Sequence, residues 1–219
     1  MPSAKTYALV LGVTLAASVT SLRNGFVYDD VPVVVENRAL QTLDSLPGLL
    51  TSAYWPQSFR DRIYRPATLA SFAVDWAVGR GRPLVFHATN VLLHLAVVAL
   101  VLRLCGSVLG PGAIVAALWF AVHPVHVEAV ANVVGRSELL AAAAYLAATL
   151  AFVAHGRSVR EAPVAAGRIG WAALVLLSSL VAFGAKEHAL SLPAALLLAD
   201  GWAARQDGEP FVFRLRRHM

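Results

Sequence analysis

The chain has 219 residues, of which 58% are hydrophobic and 14% charged, with a mean hydropathy of +0.65. Globular domains average about 45–50% apolar and about 25% charged residues, so this composition excludes an ordinary soluble domain. The net charge of +5 would suit a nucleic-acid binder, but many of the positive residues flank apolar segments. Membrane orientation explains that placement better, so we expect no nucleic-acid partner.

Six apolar segments predict an all-α, polytopic membrane protein with about six transmembrane helices. The predicted spans are residues 7–22, 84–104, 107–122, 138–154, 169–185 and 189–203. The first is interpreted as an uncleaved span, because further spans follow it. Residues 23–83 form a large and more polar first loop.

Positive residues near the span ends predict the orientation. One side of a six-span arrangement carries Arg103, Arg157, Arg160, Arg168, Arg205, Arg214, Arg216 and Arg217. The short loops of the other side carry Arg136 and Lys186. The positive-inside rule therefore predicts that both termini are cytoplasmic and that the first loop lies outside.

Two helices are predicted in the first loop, lying along the membrane interface. The first is amphipathic: Leu69, Phe72, Ala73 and Trp76 recur at helical spacing, opposite Thr68, Ser71 and Asp75. The second covers Leu46–Trp55, because Asp44 and Ser45 precede it and Pro47 falls in its first turn.

Asp29 and Asp30 follow the first span directly. Paired carboxylates can supply a general base, because the charge of one raises the pKa of the other. They could also bind a divalent cation together with a substrate phosphate. The alternative is a solvated acidic turn or a helix cap.

His87, Asn90 and His94 lie in the second span at spacings of three and four, so they share one helix face. Polar groups in a span usually face the bundle interior or a watery cavity. A substrate role and interhelical hydrogen bonding are both open for them.

His123, His126 and Glu128 follow the third span, and Arg136 and Glu138 lie shortly after them. Pro124 is expected to end or kink the helix. A metal site on this turn is conceivable, but three such ligands on a turn are weak grounds and we assign no metal. The alternative is a polar turn that ends with Ser137 capping the fourth span.

Lys186, Glu187 and His188 separate the last two predicted spans. A phosphate leaving group needs fixed positive charge, for which Lys186, Arg136 and Arg65 are the candidates. The alternative for each is a boundary residue that reaches toward lipid headgroups. Together, the four polar regions fall near one predicted membrane face, which favours an outer active site or a transport vestibule over a scaffold.

Five strings support a family resemblance: FVYDDVPVVVEN (26–37), YRPATLASFAVDW (64–76), FHATNVLLH (86–94), FAVHPVHVEAVANVVGRSELL (120–140) and KEHALSLPAALLLAD (186–200). In order and content they resemble the transmembrane and tetratricopeptide-repeat O-mannosyltransferases of the GT-C superfamily. The string with HPVH and GRSELL is the most specific.

The resemblance implies that Asp29 and Asp30 form the catalytic centre of a GT-C-like enzyme. It implies a polyprenyl or dolichyl phosphate sugar as donor, typically of mannose, and a Ser or Thr hydroxyl of an exported protein as acceptor. The predicted substrate-binding residues are Arg65, His87, Asn90, His94, His123, His126, Glu128, Arg136, Glu138, Lys186 and Glu187.

Family members have more spans, followed by repeats, whereas this sequence stops at Met219. We therefore expect an N-terminal portion that lacks the repeats and could be inactive alone. The alternatives are a transporter or flippase-like carrier that uses the second-span residues, and a non-catalytic fragment. Abundant Ala and Arg, with Lys only at Lys5 and Lys186, suggest a bacterial inner membrane; in a eukaryote the endoplasmic reticulum is expected.

Overall fold

The computed structural model describes residues 2–55, 63–161, 165–206 and 208. These residues contain helices and turns and no strand, which confirms the all-α prediction. In chain order the helices are α1 (Ala4–Ser18), α2 (Leu46–Leu49), α3 (Pro66–Gly79), α4 (Pro83–Val108), α5 (Ala113–Val122), α6 (Val127–Ala131), α7 (Arg136–Glu161), α8 (Ala165–Ala185) and α9 (Leu192–Gln206).

The helices identify a membrane protein. Within the described ranges, three stretches are long and apolar enough to cross a bilayer: Ala4–Arg23, Pro83–Val108 and Arg136–Gly156. A fourth exists if Gly110–Val122 and Pro124–Ala131, bent by 47°, form one broken span. Helix Ile169–Ala185 is apolar but shorter. The count of six spans and the orientation of the termini stay predictions.

At two of the predicted spans, the observed helix begins at a different residue from the one predicted. Residues 107 and 108 still belong to α4, and α5 begins only at Ala113, after a turn at Gly110–Gly112. Gly110 has φ +55°, a conformation that favours glycine and ends the preceding helix. The last span was predicted from residue 189, but Glu187–Ser191 is a 3₁₀ turn and α9 begins at Leu192. Arg214, Arg216 and Arg217, and the side chains of Arg157, Arg160 and Arg168, lie outside the described residues.

The first loop packs around an apolar core to which α4 and the segment before α7 also contribute. Ten buried apolar residues form this core: Val33, Val34, Leu40, Leu49, Tyr54, Leu69, Phe72, Ala73, Phe86 and Val133. The helix predicted over Leu46–Trp55 begins at Leu46 with Pro47 in its first turn, as expected, but its predicted length was wrong, because α2 ends at Leu49. The chain then turns so that the Tyr54 amide donates to the carbonyl of Ile63 at 2.7 Å, which brings the Tyr54 ring into the core.

Helix α3 was predicted to be amphipathic, and its apolar side is buried as expected. Its other side is not polar surface, because Thr68 and Asp75 are buried as well. The Thr68 hydroxyl donates to the carbonyl of Ala185 at the end of α8 (3.2 Å). The prediction of a helix with one outer polar side was therefore wrong: α8 and the start of α7 cover that side.

The polar group at the centre of the fold is Arg136, which is fully buried at the start of α7. Its guanidinium lies 2.5 Å from the carboxylate of Asp75 in α3 and donates to Asn90 Oδ1 in α4 at 2.9 Å. It also donates to the carbonyls of Phe86 and Ser71. Because a guanidinium has five N–H donors in a rigid fork, this one side chain joins three helices.

We expect Asp75→Asn to destabilise the protein by about 3–5 kcal/mol, because it leaves the Arg136 charge buried without its counter-charge. The double variant Asp75→Asn/Arg136→Met should recover most of this loss, since both charges are then removed. Denaturant unfolding of the purified chain in detergent measures both. A double variant as unstable as the sum of its single variants would contradict a coupled pair.

Candidate functional site

The turn at Val27–Asp30 is held by the carboxylate of Asp30, which is fully buried. One oxygen accepts from the Val27 amide at 3.1 Å, and the other accepts from the Val134 amide, just before α7, at 2.9 Å. Burial raises the pKa of Asp30 above its usual value, although these hydrogen bonds partly offset that effect. Asp30 thus joins the first loop to the start of α7.

Tyr28, inside this turn, has φ +46°, in the left-handed region that residues other than glycine seldom adopt. The side chain of Tyr28 is 89% exposed, so its packing does not impose the conformation. The Asp30 carboxylate closes the turn around it by accepting from the Val27 amide. Backbone strain of this kind is often found at functional sites.

Asp29 is exposed and lines a cavity of about 630 Å³, in contrast to Asp30. The first loop, α4, the α5–α6 connection, the start of α7 and the turn after α8 all contribute to its wall. Of the predicted site residues, the cavity brings together Asp29, Arg65, His94, His126, Glu128, Glu138 and Lys186. These residues come from five separate parts of the sequence.

The remaining predicted site residues, Asp30, His87, Asn90, His123, Arg136 and Glu187, do not line this cavity. His87 is buried with Nε2 3.4 Å from the Gly25 carbonyl, and Asn90 donates to the Asn132 carbonyl at 2.9 Å. His123 caps a turn by accepting from the Val125 amide. The Arg136 side chain is fully buried and is bonded to Asp75 and Asn90. We therefore assign it a structural role in place of phosphate binding.

Among the described residues, the two Lys and Arg side chains that line the cavity are paired with carboxylates. Arg65 donates from Nε and Nη2 to the two oxygens of Glu187 at 3.0 and 2.9 Å. Lys186 pairs with Glu138, whose second oxygen lies 3.8 Å from His188 Nδ1. The hydrogen bond from Arg65 lowers the pKa of Glu187. Burial lowers the pKa of Arg65, but Glu187 more than offsets this and the net shift is upward.

Gly135 permits the close approach that places two of the cavity carboxylates. A Cβ atom at this position would lie 2.6 Å from the carbonyl oxygen of Glu128 and 2.7 Å from that of Ala129. Only glycine therefore allows α6 to lie directly against the start of α7. This contact brings Glu128 and Glu138 to the same cavity.

The structure bears on two alternatives left open by the sequence. In the part of the chain that the structure describes, no three His, Cys, Asp or Glu side chains gather as a metal site, and His123, His126 and Glu128 are no exception. Of His87, Asn90 and His94, only His94 lines the cavity, where its ring is stacked against that of Phe120 with the ring centroids 6.4 Å apart. His87 and Asn90 are enclosed by protein, so these three residues do not line one polar path.

The predicted site residues do not include Ser137, His188, Tyr54 and Asn132, which also line the cavity. Ser137 was interpreted as a helix cap and His188 follows the predicted Lys186 and Glu187, whereas Tyr54 and Asn132 were not singled out at all. Neither stands out in the sequence: Tyr54 lies in a stretch predicted as a helix, and Asn132 lies in a mostly apolar segment. Only the folded arrangement shows that both side chains reach the cavity.

The chain is similar to the N-terminal part of much longer proteins. It is 35% identical to protein O-mannosyl-transferase TMTC3 of Homo sapiens over 153 residues, or 68% of the chain. It is 36% identical to TMTC1 of Mus musculus over 70% of the chain and 30% identical to TMTC4 of Homo sapiens over 84%. The chain spans 17%, 17% and 28% of these relatives. No protein-family model and no solved structure matches it.

The two aspartates should respond differently to amidation. In Asp30→Asn, an NH₂ group must face one of the two backbone N–H donors, so we expect a loss of about 1–3 kcal/mol. Asp29→Asn should leave the free energy of unfolding unchanged, because its side chain faces the cavity. Unfolding of both variants in the same detergent measures this, and equal losses would refute the division of roles.

The Arg65–Glu187 pair predicts that the folded protein loses stability in acid. Because the folded pKa of Glu187 is lowered, its stabilisation is full above the unfolded pKa and is lost as the pH falls through the folded pKa. Between about pH 6.5 and about pH 3, the wild-type unfolding temperature should therefore approach that of Glu187→Gln. A constant gap between the two proteins over that range would contradict the pairing.

Proposed function

The chain belongs to the TMTC family of protein O-mannosyl-transferases, as a counterpart of the N-terminal part of its members, and from this we propose that its cavity is a site of sugar transfer from a lipid phosphate to protein. One observation carries the proposal. Asp29, Arg65 and Lys186, far apart in sequence, line the same cavity. A carboxylate beside two cations suits a reaction that removes a proton and releases a phosphate.

In the proposed reaction, the donor is a polyprenyl or dolichyl phosphate sugar such as mannose. The oxygen of a Ser or Thr hydroxyl attacks C1 of the sugar and forms the new glycosidic bond with inversion. The bond between C1 and the phosphate oxygen breaks, and its electron pair leaves with the lipid phosphate. Asp29 orients the attacking hydroxyl and takes its proton as the new bond forms.

Arg65 and Lys186 are proposed to bind the lipid phosphate. The two-bond contact with Glu187 holds the plane of the Arg65 guanidinium, so little side-chain freedom remains to be lost on binding. Lys186 makes a single contact with one oxygen of Glu138. Both pairs are only partly buried, and their cations can therefore exchange or share the carboxylate with phosphate.

The proposed setting is a multi-pass membrane protein with six spans, cytoplasmic termini and the cavity on the outer side. The lipid tail would enter between the spans, and the acceptor would be an exported protein. The many apolar helices support membrane residence. No specific observation favours a transporter, because the second-span residues do not form a continuous polar path through the described part of the chain.

We expect Asp29→Asn to lower sugar transfer by about 10²- to 10⁴-fold, because proton transfer to a positioned carboxylate contributes that much. The measurement is label transferred from polyprenyl-phosphate mannose into protein, in membranes with matched expression. Asp44→Asn is the control, because Asp44 is an exposed carboxylate of the same loop that does not line the cavity.

Two results would count against the proposal. Equal transfer by wild type and Asp29→Asn would remove Asp29 from the chemistry. No transfer from correctly inserted wild type would refute mannose transfer by this chain alone, in favour of a fragment that needs its missing part.

A further inference from the structure

Glu128 is an exposed residue of the cavity wall that has no part in the reaction proposed above. Three carboxylates of the described residues line this cavity: Asp29, Glu128 and Glu138. Glu138 is paired with Lys186, and Asp29 is the proposed base. Among the described residues, no hydrogen bond or ion pair is made to the Glu128 carboxylate. Its charge is therefore available to a ligand in the cavity.

The fold brings Glu128 close to the proposed phosphate site. A Cβ atom at Gly135 would lie 2.6 Å from the Glu128 carbonyl oxygen, so the backbones of α6 and the start of α7 are in direct contact here. One turn further on, the Glu138 amide donates to the Gly135 carbonyl at 3.0 Å, and the Glu138 side chain pairs with Lys186. Two contacts, through Gly135 and Glu138, therefore connect Glu128 with Lys186.

The charge of Glu128 restricts what can bind beside it. Arg65 and Lys186 already have carboxylate partners, so neither of these cations neutralises Glu128. A phosphate next to Glu128 would be repelled, because the two charges have the same sign. Hydroxyl groups can instead donate to the carboxylate, and hydrogen bonds to a charged acceptor are the stronger kind. A carboxylate has two acceptor oxygens and can bind two neighbouring hydroxyls of one sugar ring.

The wall around Glu128 is apolar and aromatic. Val125 and Ala129 line the cavity from the same segment of the chain. The rings of Phe120 and His126 also line it, with their centroids 4.2 Å apart. Binding pockets commonly combine such a wall with a few polar groups that fix the orientation of the ligand. A sugar ring suits this wall, because its C–H groups can pack on the apolar surface while its hydroxyls reach the carboxylate.

We propose that Glu128 binds hydroxyl groups of the donor's sugar, beside the phosphate held by Arg65 and Lys186. The sugar is favoured over a group of the acceptor protein because it is covalently joined to that phosphate. This inference rests on the proposed function and adds to it a residue that recognises the carbohydrate. Glu128 is a binding residue, and proton transfer stays with Asp29.

The test compares two probes on the purified full chain in detergent: polyprenyl-phosphate mannose and sugar-free polyprenyl phosphate. Glu128→Ala should bind the mannosyl lipid about ten- to a hundredfold more weakly, the effect of hydrogen bonds to a charged group. Glu128→Gln keeps an acceptor but loses the charge, so it should bind this lipid about three- to tenfold more weakly. Neither variant should bind the sugar-free lipid more weakly. Their unfolding temperatures should equal that of wild type, because Glu128 is exposed.

Analogues of the mannosyl lipid that each lack one hydroxyl give a second measurement. The hydroxyl that donates to Glu128 is the one whose removal weakens binding by wild type but not by Glu128→Ala. If every analogue loses the same factor in both proteins, Glu128 contacts no sugar hydroxyl and the inference is wrong.

The matched control is Glu36→Gln, since Glu36 is an exposed carboxylate of the first loop that does not line the cavity. It should bind both lipids like wild type. Equal weakening of both lipids in Glu128→Ala would overturn the sugar contact, and so would unchanged binding of both, which would leave Glu128 to the acceptor. In either case, binding by wild type upholds the lipid-phosphate site. Wild type that binds neither lipid would overturn the proposed function, and this inference with it.

Discussion

The buried ion pair of Arg136 with Asp75 is the interaction on which the rest of the structure depends. A lone guanidinium in an apolar interior is very unfavourable, so helices α3, α4 and α7 must supply its partners together. Once Arg136 is fixed, the residues beside it are fixed too. Val134 then meets the Asp30 carboxylate, and Glu138 meets Lys186. The cavity wall is thus a result of satisfying one buried charge.

Paired charges recur at the cavity itself, but there they are only partly buried. Each cation has a carboxylate in place before any ligand binds: Glu187 for Arg65 and Glu138 for Lys186. Such pairs contribute little to stability where solvent reaches them. Their value is geometric, because they hold long side chains in one position at the wall of the cavity. The buried pair organises the fold, and the outer pairs organise the site.

The sequence predicts the class of the protein well because apolar length and motif order are local properties. It also identifies most of the polar cavity residues, including Asp29, Arg65 and Lys186. It could not separate Asp29 from Asp30, since their difference depends on an amide 104 positions away. Arg136 looked like a surface cation for the same reason: its partners lie in two other helices.

The hydrogen bond from the Val134 amide to Asp30 also constrains the order in which the chain can assemble. Synthesis runs from the N-terminus, so Asp30 is made long before Val134 and Phe86 exists before Val133. The core beneath the first loop contains Phe86 and Val133, so it cannot be completed until both residues have been synthesised. The segment from α4 through the α6–α7 connection must therefore be synthesised before the first loop can complete its fold and before Asp30 can accept the hydrogen bond from Val134.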